Sequence, residues 1–236
     1  MPDDIERLTA PNPSPMTLDG TNTYVVGRDP AVVIDPGPDD AGHIEAVREA
    51  AAARGGIGTV LLTHGHGDHS AGVDALGIEP ARIEDGVTVA GLRAIATPGH
   101  AADHFCFVLD RACFTGDLIL GVGSTIVGPR ETGGSLLDYM HSLERLQQLD
   151  LDVLYPGHGP EIHDPQAKIA EYIEHRMMRE RRLVAALDRG ERSRAALLAE
   201  VWDDVPDQLR GPAAIAMEAH LEKLQDEGRL PTDLRD

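Results

Sequence analysis

Thr63-His64-Gly65-His66-Gly67-Asp68-His69 places three imidazoles and a carboxylate within six residues, in a chain with 11 histidines among 236 residues. Imidazole nitrogen and carboxylate oxygen together suit zinc, manganese or iron. Gly65 and Gly67 lack a Cβ, so the backbone can fold tightly and aim alternate side chains at one point. Ahead of the motif, Ile57-Gly58-Thr59-Val60-Leu61-Leu62 is apolar and partly β-branched, which reads as a buried strand. Behind it, Ser70 to Leu76 can begin a helix. The motif is therefore expected on a loop at the C-terminal edge of a sheet, a common place for sites in α/β folds.

Three later points repeat one local grammar of strand, glycine, then a metal-binding side chain. They are Thr97-Pro98-Gly99-His100, Phe114-Thr115-Gly116-Asp117 and Tyr155-Pro156-Gly157-His158-Gly159. A lone histidine after Pro-Gly is usually structural, but four such points in order build a site.

Between these points the chain alternates strands and helices, an α/β arrangement of stacked layers. Thr23 to Gly27 and Ala31 to Asp35 read as strands joined at Arg28-Asp29-Pro30, and a helix follows from Asp39 to Ala53. Val87 to Ala96 reads as a strand pair broken at Gly91. Phe105 to Leu109 and Ala112 to Thr115 form a hairpin whose register pairs Val108 with Cys113. Cys106 then sits one diagonal away, ~7–8 Å across the strands, so both cysteines are expected as buried free thiols. Ser135 to Leu149 has helical apolar spacing, and Leu151 to Tyr155 is a short strand.

The character changes at Asp164-Pro165, a helix start with Asp as cap and Pro at the first turn. A long helix to Leu187, helices near Ser193 to Trp202 and Gly211 to Gln225, and an extended tail after Gly228 suggest a helical module ending in a wing. Two domains are expected, 1–163 and 164–236. No stretch reaches the ~18 apolar residues of a membrane span. The acidic start, Met1 to Arg7, has no apolar run, so no leader and a cytoplasmic location are expected.

The net charge of −19 is uneven, −15 over residues 1–163 and −4 over 164–236. Such a field repels polyanions at long range. Arg176, Arg179, Arg181, Arg182, Arg189, Arg192 and Arg194 are the one concentrated cationic run, read as a solvated face paired with Glu180, Asp188 and Glu191. The last helix, with Glu218, Glu222, Asp226 and Glu227, is too acidic to read a nucleic-acid groove.

The series from Asp35 to His158 resembles the five motifs of the metallo-β-lactamase fold superfamily. The resemblance implies an αββα sandwich with two metals at one edge of its sheets. It implies that His64, His66 and His100 hold one metal, that Asp68, His69 and His158 hold the other, and that Asp117 bridges them. Asp35 would support the metal loop by hydrogen bonds. Pro13 to Tyr24, His100-Ala101-Ala102-Asp103-His104, Asp138 to Leu143, and Tyr172 with His175-Arg176 and Arg179-Glu180 narrow the match. These resemble the beta-lactamase-like protein 2 family, which carries a C-terminal winged-helix module. One departure is the short connection from Leu76 to Asp85, where that family usually has an extra strand.

The implied activity is a two-zinc hydrolase, with a hydroxide bridging the metals as nucleophile, oriented by Asp68 and acting on a small-molecule ester or thioester. Alternatives are a single-stranded-RNA endoribonuclease, as in animal relatives, and an iron-dependent sulfur dioxygenase. His104, His163 and Tyr155 are candidate proton donors, and Asn22 and Thr125 are candidate substrate-lining residues. Oligomeric state is left open.

Overall fold

β-Branched and aromatic side chains crowd a helical turn but pack well on a pleated surface, and the short runs rich in them form the strands. A computed structural model describes residues 4–235; the leaderless reading of the start falls partly on Met1 to Asp3, which lie outside the described residues. The elements in order are β1 (Ile5–Thr9), β2 (Asn22–Val26), β3 (Ala31–Ile34), α1 (Ala41–Ala52), β4 (Ile57–Leu61), α2 (Gly67–Ser70) and α3 (Val73–Leu76). Then come β5 (Thr88–Val89), β6 (Leu92–Ala96), β7 (Phe105–Leu109), β8 (Ala112–Gly116), α4 (Leu136–Gln147), β9 (Val153–Pro156), α5 (Pro165–Asp188), α6 (Arg194–Val201) and α7 (Arg210–Asp226). No helix among the described residues is long and apolar enough to cross a membrane.

Two sheets result, ordered β1-β2-β3-β4 and β5-β6-β7-β8-β9. Within each, all neighbours are antiparallel except the last pair: β3 runs parallel to β4, and β8 parallel to β9. Tyr24, Ile34 and Leu61 of the first sheet share one apolar core with Leu92, Phe107, Phe114 and Tyr155 of the second. The other face of the first sheet packs Val25, Val33 and Val60 against Ile44, Val47 and Ala51 of α1 and Leu76 of α3. The fold is the expected α/β class with two sheets.

Both sheets lie in one compact unit, made of the described residues up to Thr97, Asp103–Thr125 and Asp150–Pro165. A second unit gathers Pro98–Ala102, Ile126–Leu149 and the described residues from Gln166 onward. It is helical, with Leu183 and Leu187 of α5, Leu197 and Val201 of α6, and Met217, Leu221 and Leu224 of α7 in one core. The division does not follow a cut at 163/164, and the hydrogen bonds give the reason. The 98–102 turn is tied to α4, since Ser135 N donates to Gly99 O (2.8 Å) and Ser142 Oγ to Pro98 O (2.7 Å).

Three local details differ from expectation. β1 has no clear alternation in its sequence, because it is an edge strand with only Ile5 fully buried. The motif helix begins at Gly67 rather than Ser70, because the His66 carbonyl already accepts from His69 N and Ser70 N, both at 3.0 Å. The tail after Gly228 makes one isolated bridge, Ser193 to Arg235, in place of a full two-stranded wing. The cysteine hairpin has the expected Val108–Cys113 register, and both thiols are free and buried.

Candidate metal centre

Because β3 and β4 are parallel, their C-terminal ends emerge side by side. Asp35 leaves β3 with φ +51°, a left-handed conformation that turns its carboxylate back onto the loop after β4. Its Oδ1 accepts from Thr63 N and its Oδ2 from Thr63 Oγ1, both at 2.7 Å. Oδ2 also faces His69 Nδ1 at 2.9 Å. Asp35 therefore shapes the loop and orients a ring. In the second sheet, β8 and β9 deliver Asp117 and His158 in the same way. Gly157 is required between them: a Cβ there would stand 2.6 Å from both Asp117 Oδ1 and His69 Cε1.

Within the first unit two groups of ligand atoms converge, His64 with His69 and Asp117, and Asp68 with His69 and His158. His64 Nε2 faces His66 Nδ1 at 2.9 Å. His69 Nε2 lies 3.4 Å from Asp117 Oδ1 and 3.6 Å from Asp68 Oδ2. His158 Nε2 lies 3.4 Å from Asp117 Oδ1 and 3.3 Å from Asp68 Oδ2. Donors ~2.0–2.2 Å from a tetrahedral cation stand ~3.3–3.6 Å apart, so these spacings fit a shared ion. His69 is fully buried, and its Nε2 has no hydrogen-bond partner among the described residues, which burial makes costly unless a cation takes the lone pair.

The ring protons support the same reading. His158 Nδ1 donates to Gly20 O at 3.2 Å, and His69 Nδ1 donates to the Asp35 carboxylate. Both rings thus hold Nε2 toward the cluster with its lone pair available. His100 lies in the second unit, in the turn after β6, where its Nδ1 donates to Ile126 O at 2.8 Å and leaves the lone pair on Nε2.

Without a cation the cluster must neutralise itself. Burial alone would raise Asp117, but the His69 charge and the His158 and His69 ring nitrogens beside it hold it well below the usual carboxylate range. Burial likewise opposes a lowered Asp68, and His158 and His69 outweigh it. Burial disfavours charge on His69, yet the Asp117 and Asp35 carboxylates raise it well above an ordinary histidine. For His158 burial is again outweighed, by hydrogen bonds to Asp117 and Asp68, and its pKa rises to about 9. Below that pH His158 carries a proton that a metal must displace, so metal affinity should rise as pH climbs toward 9. Calorimetric titration of zinc into the stripped chain at neutral pH, in buffers of different ionisation enthalpy, should show net proton release. Release of none would remove these histidines as ligands.

Other candidates fall elsewhere. Asn22 is 1% exposed, its Nδ2 donates to Pro156 O (3.0 Å) and Gly159 O (2.9 Å), and its Oδ1 accepts from Thr9. It clips β2 to the turn after β9 and has no donor left for a substrate. Thr125 is also buried. Tyr155 packs in the inter-sheet core against Phe114 and Tyr24, and His163 is exposed. His104 is buried, with Nδ1 at 2.8 Å from Thr97 Oγ1.

The arginine run also differs from its reading as a solvated face. Arg179 is buried, pairs with Asp204 (2.7 Å) and stacks over Trp202; Arg176 is buried over Tyr139. Arg181, Arg182, Arg189, Arg192 and Arg194 pair with Glu174, Asp203, Glu200, Asp233 and Glu218. Glu180 instead takes Lys223 and Arg229, and Glu191 accepts from the backbone of Arg192 and Ser193. Thr63 and Gly157 are the structural contributors that sequence reading passed over; each adjoins a named ligand, which was the available signal.

Known proteins share this pattern. Residues 16–81 and 78–158 match the Metallo-beta-lactamase superfamily, and residues 193–231 match the Beta-lactamase associated winged helix domain. The chain is 36% identical over 258 residues to the Beta-lactamase-like protein 2 homolog of Caenorhabditis elegans, covering 96% of this chain and 85% of that one. It is 37% identical over 216 residues to the Atrochrysone carboxyl ACP thioesterase of Aspergillus fumigatus, covering 80% of this chain and 67% of that one. A metallo-beta-lactamase family protein from Thermus thermophilus superposes with a TM-score of 0.75 at 25% identity, over 95% of this chain and 94% of that one. With carboxylates and imidazoles gathered at the ends of two parallel strand pairs, the chain belongs to the metallo-beta-lactamase superfamily, as a metal-dependent hydrolase with the winged-helix domain associated with that fold.

Proposed function

We propose that this hydrolase binds two zinc ions per chain and cleaves a small-molecule ester or thioester in the cytoplasm. In this reading His64, His66 and His100 hold one ion, Asp68, His69 and His158 hold the other, and Asp117 touches both. Bound there, the ions would supply Lewis acidity toward a substrate carbonyl and a water acidified to near neutrality. The chain's own groups do the rest. Asp68 has a 31% exposed side chain against 12% for Asp117, so it is the carboxylate that meets solvent. Its lowered pKa keeps it ionised at neutral pH, and Thr21 Oγ1 donates to its Oδ2 at 3.4 Å. Asp68 can therefore accept a hydrogen bond from an incoming water and orient it.

The observation that carries the small-molecule reading is the engagement of the arginine run. Each of its seven members is either buried over an aromatic ring or ion-paired within the helical unit. RNA binding draws on cations facing phosphate, and a net charge of −19 works against it. The thioesterase relative supports a thioester as the bond cleaved.

Elemental analysis of chain purified without chelator should find about two zinc per chain, as a dinuclear hydrolase requires. That chain should hydrolyse a neutral thioester, lose the activity to chelator and regain it with zinc. Preferred cleavage of single-stranded RNA, with a salt slope of ~0.7 per phosphate contact, would sink the small-molecule reading. One iron per chain would sink the zinc reading.

A further inference from the structure

Thr63 has one hydroxyl, and the fold sets it between a carboxylate and a ring. Oγ1 donates to Asp35 Oδ2 at 2.7 Å and lies 3.0 Å from His64 Nδ1. A hydroxyl whose proton is committed to a carboxylate can only accept from the ring, so His64 carries its proton on Nδ1 and keeps the lone pair on Nε2. That is the nitrogen facing His66. The same oxygen, Asp35 Oδ2, accepts the Nδ1 proton of His69 at 2.9 Å.

We propose that Thr63 is a positioning residue, and that through it one oxygen of Asp35 sets the tautomer and tilt of a histidine in each metal subsite, so that the subsites fill as a coupled pair. The inference rests on the two-ion reading above. Two further hydrogen bonds hold the relay in register. Thr63 N is held by Asp35 Oδ1, and Thr23 Oγ1 donates to Asp35 O at 2.6 Å. Asp35 and Thr63 are 2% and 1% exposed, so solvent does not compete for either. A Cβ on Gly116 would lie 2.5 Å from Thr63 Oγ1, so the space beside the hydroxyl is closed as well. An ion that fixes His69 also fixes the Asp35 oxygen on which Thr63, and through it the His64 ring, depends. A ligand that rigidifies a shared element lowers the ordering cost of the next one.

Thr63→Val keeps the volume and the backbone hydrogen bond but removes the relay. His64 can then carry its proton on Nε2, the nitrogen a metal needs. Loss of such a supporting hydrogen bond typically weakens a metal roughly 10–100-fold. The test is cobalt(II) titration of the full, chelator-stripped chain, followed by visible absorption against a competing chelator. The natural chain should take up two ions in one cooperative step. Thr63→Val should separate the steps and weaken the His64 subsite roughly 10–100-fold, the other subsite losing only what the coupling contributes. Thr63→Ser, which retains the hydroxyl, should restore the single step, and Asp35→Asn should weaken both. A natural chain that binds only one ion fails the two-ion reading. A natural chain that binds two ions independently, or a Thr63→Val isotherm matching it, overturns the coupling alone. If Thr63→Val does not fold, ring nitrogen-15 shifts of His64 in the natural chain decide: Nδ1–H is expected, and Nε2–H overturns the relay.

Discussion

Asp117→Ala should empty both metal subsites and abolish hydrolysis, a loss of at least ~10³-fold, since removing a single electrostatic stabiliser already costs ~10²–10³. The reason is its position. Asp117 Oδ1 lies 3.4 Å from His69 Nε2 and 3.4 Å from His158 Nε2, while His64 belongs to the same ligand group. Removing the carboxylate also leaves two histidines with raised pKa values facing each other with less negative charge between them. His158→Ala is the informative contrast. It should lower occupancy of the subsite shared with Asp68 and leave the His64 subsite loaded. Metal counted per chain in both variants, with activity measured alongside, checks the assignment. Retention of both ions in Asp117→Ala would show that this carboxylate does not bridge.

The largest stability effect is expected at Gly99. A Cβ there would lie 2.3 Å from the Cα of Tyr139, and the φ of +141° is one that side-chain-bearing residues avoid. The obstructing atoms are backbone of α4, so no rotamer change relieves them. Strain and overpacking of this kind each cost ~1–3 kcal/mol, and Gly99→Ala should lose about 2–5 kcal/mol. For a chain of this size that is a fall in Tm of roughly 5–15 °C. Gly211→Ala is the control, since a Cβ there meets nothing within 4 Å, and it should be neutral or stabilising by up to about 1 kcal/mol. Denaturant unfolding followed by circular dichroism compares the two. Equal stability of Gly99→Ala and the natural chain would contradict the close approach.

The residues differ in how readily the chain discloses them. The His64–His69 motif is legible because ligand density is a local property, and the strands around it are legible because apolar runs bounded by glycine are local too. The register of the cysteine hairpin follows from its two-residue turn. What escaped is non-local. Arg179 pairs with Asp204, 25 residues away, while the acids close to it in sequence serve other partners. Asn22 follows Gly20 and Thr21 in a stretch that reads as a binding loop but opens β2, and its role as a clip depends on Pro156 and Gly159 from the opposite end of the unit. The helical start at Gly67 was hidden because the metal motif itself forms the first turn.

The pairing of strands into one parallel couple per sheet has an implication for how this chain can change. Parallel neighbours end at the same edge, so Asp35 with the motif, and Asp117 with His158, are placed by strand pairing alone. The segment between α3 and β5, residues 77–87, supplies none of these groups and links one sheet to the other. The segment is anchored at Ala81, whose N donates to Val60 O at 2.9 Å, and at Ile83, which packs with Ala81 on the inter-sheet core, so added length is tolerated only at its exposed positions, where it costs just ~0.6 kcal/mol per doubling. Residues inserted there would leave the ligand set in its register.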